Sequence, residues 1–249
     1  MGVEMDLPDD VRRVVSLVPS LSESIAVSIP DLLVGATDWC THPADLDVAR
    51  VRGTKNPDLD AIRELRPDLV VANKEENREL DVRRLRAAGV LVWVTDIQSV
   101  EQALRSLRRL FTEALRSDVP DWLVQGDAVW AAPPHSARLR VVIPIWRDPW
   151  MVVGPRTFTG DLAARLGLEN VVADSPERYP HTTVEEIVSL RPDVVLLPDE
   201  PYVFSPEDGP EAFPELRCAL VEGRALTWYG PSLATAVDTV RAALGLATG

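Results

Sequence analysis

Hydrophobic and polar positions along the chain sort into short apolar runs and 3.6-period stripes, which alternate from one end to the other. Val14 to Val18 predicts a buried strand and Pro19-Ser20-Leu21-Ser22-Glu23 a turn into a helix that runs to about Ile29, with Ser20 and Glu23 spaced as a capping box. Leu32 to Ala36 predicts a second strand. Leu59, Ile62 and Leu65 fall on one face of a helix entered from Asn56-Pro57-Asp58 and ended at Pro67, and Leu69 to Val71 follow as a strand covered on both faces. A helix from about Asn77 to Ala88, stopped by Gly89, leads to a strand at Val90 to Val94. Ser99 to about Leu115 carries an apolar stripe at Val100, Ala103, Leu104, Leu107, Leu110 and Phe111. After Pro120 a second helical piece, Asp121 to about Ala131, ends in a Pro133-Pro134 linker.

The second half repeats the alternation. Strands are predicted at Arg140 to Trp146, Trp150 to Val153 and Asn170 to Ala173, with a helix at Phe158 to Leu166 capped by Gly167. Residues 205 to 221 read as loop and short helix, Arg224 to Trp228 as the last strand, and Ser232 to Leu244 as a final helix. One unit recurs: Leu190-Arg191-Pro192-Asp193 matches Leu65-Arg66-Pro67-Asp68 at an offset of 190 − 65 = 125 residues, about half of the 249-residue chain. That spacing exceeds the roughly 20–50 residues of a solenoid repeat and predicts two similar lobes. The expected fold is α/β, with two Rossmann-like lobes of parallel sheet at residues 12–97 and 139–247, a helical connection at 98–138 and a ligand cleft between the lobes.

Composition narrows the function. The net charge of −13, with Lys55 and Lys74 as the two lysines, argues against nucleic acid or an anionic membrane as partner. No run approaches the ~18 apolar residues of a membrane span. The acidic start MGVEMDLPDD lacks the basic-then-apolar pattern of a signal peptide, so the expectation is a cytoplasmic chain as it stands, or an extracytoplasmic one whose signal sequence was removed. Cys40 and Cys218 form no disulfide framework. No GxSxG, Walker loop, GxGxxG or HExxH occurs, and the expectation is a binding protein without a cofactor of its own rather than an enzyme.

In open α/β sheets ligands bind beyond the carboxyl ends of the strands. Those ends collect Trp39, Cys40, His42, Asn73, Glu75 and Asp96 in the first half, and Trp146, Arg147, Trp150, Tyr202, Trp228 and Tyr229 in the second. Four of the seven tryptophans and two of the three tyrosines lie there, which suits a bulky planar or apolar ligand. Cys40 and His42 form a CxH pair that offers metal-binding atoms, the alternatives being a reactive thiol-imidazole pair and an ordinary half-buried loop. Lys74 and Arg147 are the cations found near these ends. So few cations favour a large, weakly charged macrocycle over a ferric siderophore trianion.

The segments VVSLVPSLSESI, VGATDWCTHP, RGTKNPDLDAIRELRPDLVVANKEENRE, VVGPRTFTGDLAARLGLENV and TVEEIVSLRPDVVLL resemble the substrate-binding proteins of ABC importers for cobalamin, haem and iron-siderophores, most nearly the cobalamin branch. The resemblance runs from about Arg13 to Leu244. It implies a monomeric receptor for a small-molecule metal chelate, with no membrane insertion and an ABC permease as partner. Trp39 and His42 resemble ligand-facing residues of the family, and Asn73 stands where the cobalamin protein has tryptophan. Glu79 matches the first-lobe docking glutamate, and its second-lobe counterpart lies among Glu207, Asp208 and Glu211. Two other classes stay open: a ferric-siderophore or haem receptor, and a cytoplasmic homologue that binds or modifies a ligand without a transporter.

Overall fold

A computed structural model describes residues 7–8, 10–132 and 138–246. The expected Pro133-Pro134 linker and His135 lie outside the described residues. The chain divides into two compact units, one made of residues 1–97, 104–124 and 229–231, the other of 98–103, 125–228 and 232–249. The helical stretch expected between the lobes is therefore shared out: residues 104–124 pack into the first unit, and 98–103 and 125–132 into the second.

The first unit is built on a five-stranded parallel sheet. Its strands are β1 (Val14–Ser16), β2 (Leu33–Ala36), β3 (Ala49–Arg50), β6 (Leu69–Asn73) and β7 (Val92–Thr95), in the order β3-β2-β1-β6-β7. Between them come helix α1 (Pro19–Ser28), a small hairpin of β4 (Arg52–Gly53) and β5 (Asn56–Pro57), α2 (Leu59–Glu64) and α3 (Glu79–Ala87). All five residues of β6 are buried, as a continuous apolar run between covered faces requires. The core on one side joins Val15, Leu17, Ile62, Val70, Val82 and Leu85. Asp58 caps α2 by accepting the Ala61 N–H at 3.0 Å. Gly89, at φ +81°, ends α3 in the left-handed conformation that glycine adopts without steric cost. The capping box read at Ser20 does not form: Pro19 occupies the first turn, Val18 is the cap residue without a side-chain bond, and Ser20 is already inside the helix.

Helix α4 (Val100–Arg109) continues as one π-helical turn, Leu110–Ala114, and α5 (Asp121–Trp130) follows. The apolar stripe behaves as its spacing predicts, with Val100, Ala103, Leu107, Leu110 and Phe111 fully buried.

The second unit has a four-stranded parallel sheet, β11-β8-β12-β13, of β8 (Leu139–Val142), β11 (Leu168–Asn170), β12 (Val194–Pro198) and β13 (Cys218–Val221). A hairpin of β9 (Pro144–Trp146) and β10 (Met151–Val152) stands beside it, and helices α6 (Phe158–Arg165), α7 (Val184–Ser189), α8 (Gly223–Thr227) and α9 (Ala236–Ala243) complete it. Three expectations fail here. The strand read at Asn170 to Ala173 sits earlier, as Leu168–Asn170, and residues 171–174 are turn. The last strand is Cys218–Val221, inside the stretch read as loop and helix, and the stretch read as that strand is helix α8. Cys218 to Val221 pairs residue by residue with Val195 to Pro198, so the sheet recruits the apolar run that continues its ladder.

The recurring LRPD segment is the same device in both units. Arg66 and Arg191 follow α2 and α7 with φ of +46° and +50°, a conformation that costs a non-glycine residue about 1–2 kcal/mol. A clamp to the neighbouring strand offsets that cost. Asp68 accepts the backbone N–H groups of Arg12 and Arg13, each at 2.8 Å, and the Arg13 guanidinium donates to the Leu65 carbonyl at 2.8 and 2.9 Å. In the second unit Asp193 accepts the Arg140 N–H at 2.8 Å, while the Arg140 guanidinium donates to the carbonyls of Arg191 and Leu190 at 2.7 and 2.9 Å.

Candidate functional site

The carboxyl ends of β1, β2, β6 and β7 shape the strand-end surface of the first unit. Asn73 and Asn77 organise it. Asn73 Oδ1 accepts the N–H groups of Glu75 and Glu76 at 2.8 and 3.3 Å, and its Nδ2 donates to Thr95 Oγ1 at 3.0 Å. Asn77 Nδ2 donates to the carbonyls of Leu17 and Thr54, both at 3.0 Å, and its Oδ1 accepts the Asn73 N–H. Both side chains are buried, so Asn73, expected to face a ligand, holds the turn from beneath.

Trp39 is the exposed aromatic of this surface, at 65%. Its Nε1 lies over Gly53, where a Cβ would come within 3.2 Å. Cys40 points the other way into the core, its thiol at 3.0 Å from Ser22 Oγ and 3.2 Å from Thr37 Oγ1, with burial pushing its pKa up. His42 Nδ1 pairs with Thr41 Oγ1 at 3.0 Å. The CxH pair is thus split between core and loop, and no group of three metal-binding side chains forms among the described residues.

Glu76 behaves differently from an ordinary surface acid. Tyr229, from the short segment that joins the first unit, donates its hydroxyl to Glu76 Oε1 at 2.5 Å. Burial pushes the Glu76 carboxyl up to about 7; the bond from Tyr229 opposes that, the charge of Glu75 adds to it, and Lys55 pulls back. Burial and the neighbouring Glu76 raise Tyr229 well above its ordinary value, so it remains a donor. Lys55 Nζ donates to the Glu75 carbonyl at 2.5 Å, and Lys74 pairs with Asp96 at 3.0 Å. Nothing in the residues around Glu76 shows that it meets Tyr229, 153 positions away.

In the second unit the surface is aromatic and acidic. Trp146 is 45% exposed on the β9–β10 hairpin and meets Tyr202 edge to face at 5.7 Å. Val203, next to Tyr202 in the chain, is 69% exposed. Tyr202 donates to Asp208 at 2.7 Å, and Arg147 binds both Asp208 and Glu211 through Nη1. The hydrogen bonds from Tyr202 and Arg147 hold Asp208 below the usual carboxylate range, and Arg147 does the same for Glu211. Trp150 lies beneath, stacked on Phe204 at 5.9 Å and edge-on to Phe213 at 5.2 Å, while Trp228 is buried under the Arg224 guanidinium at 5.8 Å. Of the aromatics expected at strand ends, Trp39 and Trp146 are open, Tyr202 is half open, and Trp150, Trp228 and Tyr229 are packed inside.

The residues expected to dock a partner are solvent-facing. Glu79 opens α3 with its side chain 76% exposed and pairs with Arg83 at 2.5 Å. Glu207 is exposed in the loop after β12, and Glu211 is tied to Arg147.

No protein-family model matches the chain. The vitamin B12-binding protein of Pectobacterium carotovorum is 23% identical over 199 residues, which cover 76% of this chain and 72% of that protein. An uncharacterised ABC transporter substrate-binding lipoprotein of Bacillus subtilis, YvrC, is 25% identical over 213 residues, 79% of this chain and 66% of that protein. Among solved structures, the periplasmic vitamin B12-binding protein BtuF of Vibrio cholerae matches with a TM-score of 0.78 at 19% identity, covering 96% of this chain and 98% of that one. The periplasmic haem-binding protein RhuT of Roseiflexus matches with a TM-score of 0.77 at 21% identity, covering 94% and 97%. The chain therefore has the two-lobed α/β fold with a helical backbone that these periplasmic binding proteins share.

Proposed function

We propose that this protein is an extracytoplasmic receptor that captures a corrinoid or a related metal chelate and delivers it, as a monomer, to an ABC importer. The observation that carries the reading is the pair of open indoles at strand ends, Trp39 in one unit and Trp146 in the other, on a fold shared with vitamin B12-binding proteins. Flat, apolar, partly hydrated faces of this kind stack on a macrocycle. Titration with cyanocobalamin should quench tryptophan fluorescence, and Trp146→Ala should weaken binding by on the order of 1–2 kcal/mol, since about half of the ring is free to be covered. No response to any corrinoid or haem would end this reading. The haem-binding structure of similar fold supports haem as the second ligand class.

Delivery implies a permease, and Glu79 is its best-placed contact on the first unit. A carboxylate in the first turn of α3, paired with the exposed Arg83, can exchange that partner for an arginine of another chain at little cost. Glu79→Lys should impair uptake by cells carrying the importer while leaving the affinity for ligand unchanged. An unaltered uptake rate would remove Glu79 from docking.

A further inference from the structure

We propose that the cluster of Arg147 with Asp148, Asp208 and Glu211 is a charge filter: it admits a neutral or cationic chelate beside Trp146 and rejects one that carries peripheral carboxylates. The inference rests on the metal-chelate reading and refines it to a ligand charge class.

The sequence offers Arg147 as a natural clamp for a carboxylate, since a guanidinium presents a rigid fork of donors to an anion. The structure uses that fork internally. Nη1 binds Asp208 and Glu211 together, and Nε lies 3.8 Å from Asp148. Asp208 is held from its other side by the Tyr202 hydroxyl at 2.7 Å, and Glu211 also accepts the Gly209 N–H at 2.5 Å, so neither carboxylate is free to swing away. The guanidinium is further confined over Trp150, 5.5 Å from the ring centroid. One positive charge is therefore set among three negative ones, next to the open face of Trp146, which meets Tyr202, the partner of Asp208. Lys74, the cation expected at the first unit's strand ends, is likewise committed, to Asp96. A ligand carboxylate placed beside Trp146 meets net negative charge and competes for Arg147 with the two carboxylates already bound to its Nη1. A peripheral amide meets acceptors it can donate to.

The test compares cyanocobalamin with the monocarboxylic acid made by hydrolysing one of its peripheral amides, a change of one charge on an otherwise identical macrocycle. The full chain should bind the amide form about fivefold to tenfold more tightly at low salt, and the gap should close toward unity at high ionic strength. Glu211→Gln should narrow the gap, and Asp208→Asn with Glu211→Gln should abolish or reverse it by releasing Arg147. Melting curves verify that each variant is folded, and the single change serves alone if the double variant is not. Equal or tighter binding of the acid by the unaltered chain, or a gap that salt leaves unchanged, overturns the filter while the receptor reading stands. Haem, whose two propionates are peripheral carboxylates, should bind more weakly than the amide form; binding of haem but of neither corrinoid overturns the filter alone, and binding of none of the three overturns both.

Discussion

Raising the pH from 4 to 8 should remove about 3 kcal/mol of stability from the unaltered protein relative to its Glu76→Gln variant. Glu76 titrates at about 7 when folded, against an ordinary 4.5, and each pKa unit corresponds to about 1.4 kcal/mol. The sign follows from proton counting. Between those two values the folded chain holds a proton that the unfolded chain has released, so stability falls as pH rises through this window and levels off above it. A carboxyl with a depressed value, such as Asp208 or Glu211, acts oppositely and below its ordinary value, so it does not mask the effect. Glutamine keeps an acceptor for Tyr229 and cannot ionise. Urea unfolding of both proteins at several pH values measures the difference, and parallel curves would show that Glu76 ionises normally.

Asp68→Ala should cost about 2–3 kcal/mol, and Asp193→Ala about 1–2 kcal/mol. Asp68 receives two backbone N–H groups and Asp193 one, each a charge-assisted bond at 2.8 Å. Removal also leaves the left-handed Arg66 or Arg191 with less to hold it. Asp68→Asn, which keeps an acceptor, should recover most of the loss. Because each clamp serves one unit, two probes should separate the variants: Trp93 and Trp122 report on the first unit, Trp146 and Trp150 on the second. Equal losses for the two alanine variants would show that bond number is not what sets the cost.

The repeat at offset 125 was legible because a helix end, a proline and an aspartate clamp must appear in that order wherever this turn is used. Central strands were legible too, since β12 is apolar throughout and β6 is apolar up to its last residue, Asn73. Edges were harder. Cys218 to Val221 is short and half exposed, and only its ladder with β12 makes it a strand, whereas Arg224 to Trp228 has the composition of one. The capping box illustrates the same limit: Ser20-x-x-Glu23 and Thr183-x-x-Glu186 look alike, yet only the second forms, because Pro19 starts the first helix earlier. For the candidate site, the sequence placed the right loops without their facing directions. Asn73 turns under its loop, Cys40 into the core and Trp150 against Phe204 and Phe213, each settled by partners 2 to 63 positions away.

Residues 229–231 belong to the first unit although the chain on either side of them belongs to the second. A ribosome emitting this chain has therefore finished the first unit's sheet long before it supplies Tyr229 to Glu76. Until then the carboxyl lacks the phenol that meets it in the finished fold. Neither unit corresponds to a single cut of the gene: a fragment ending at residue 124 would carry every strand of the first sheet and still lack its final stitch.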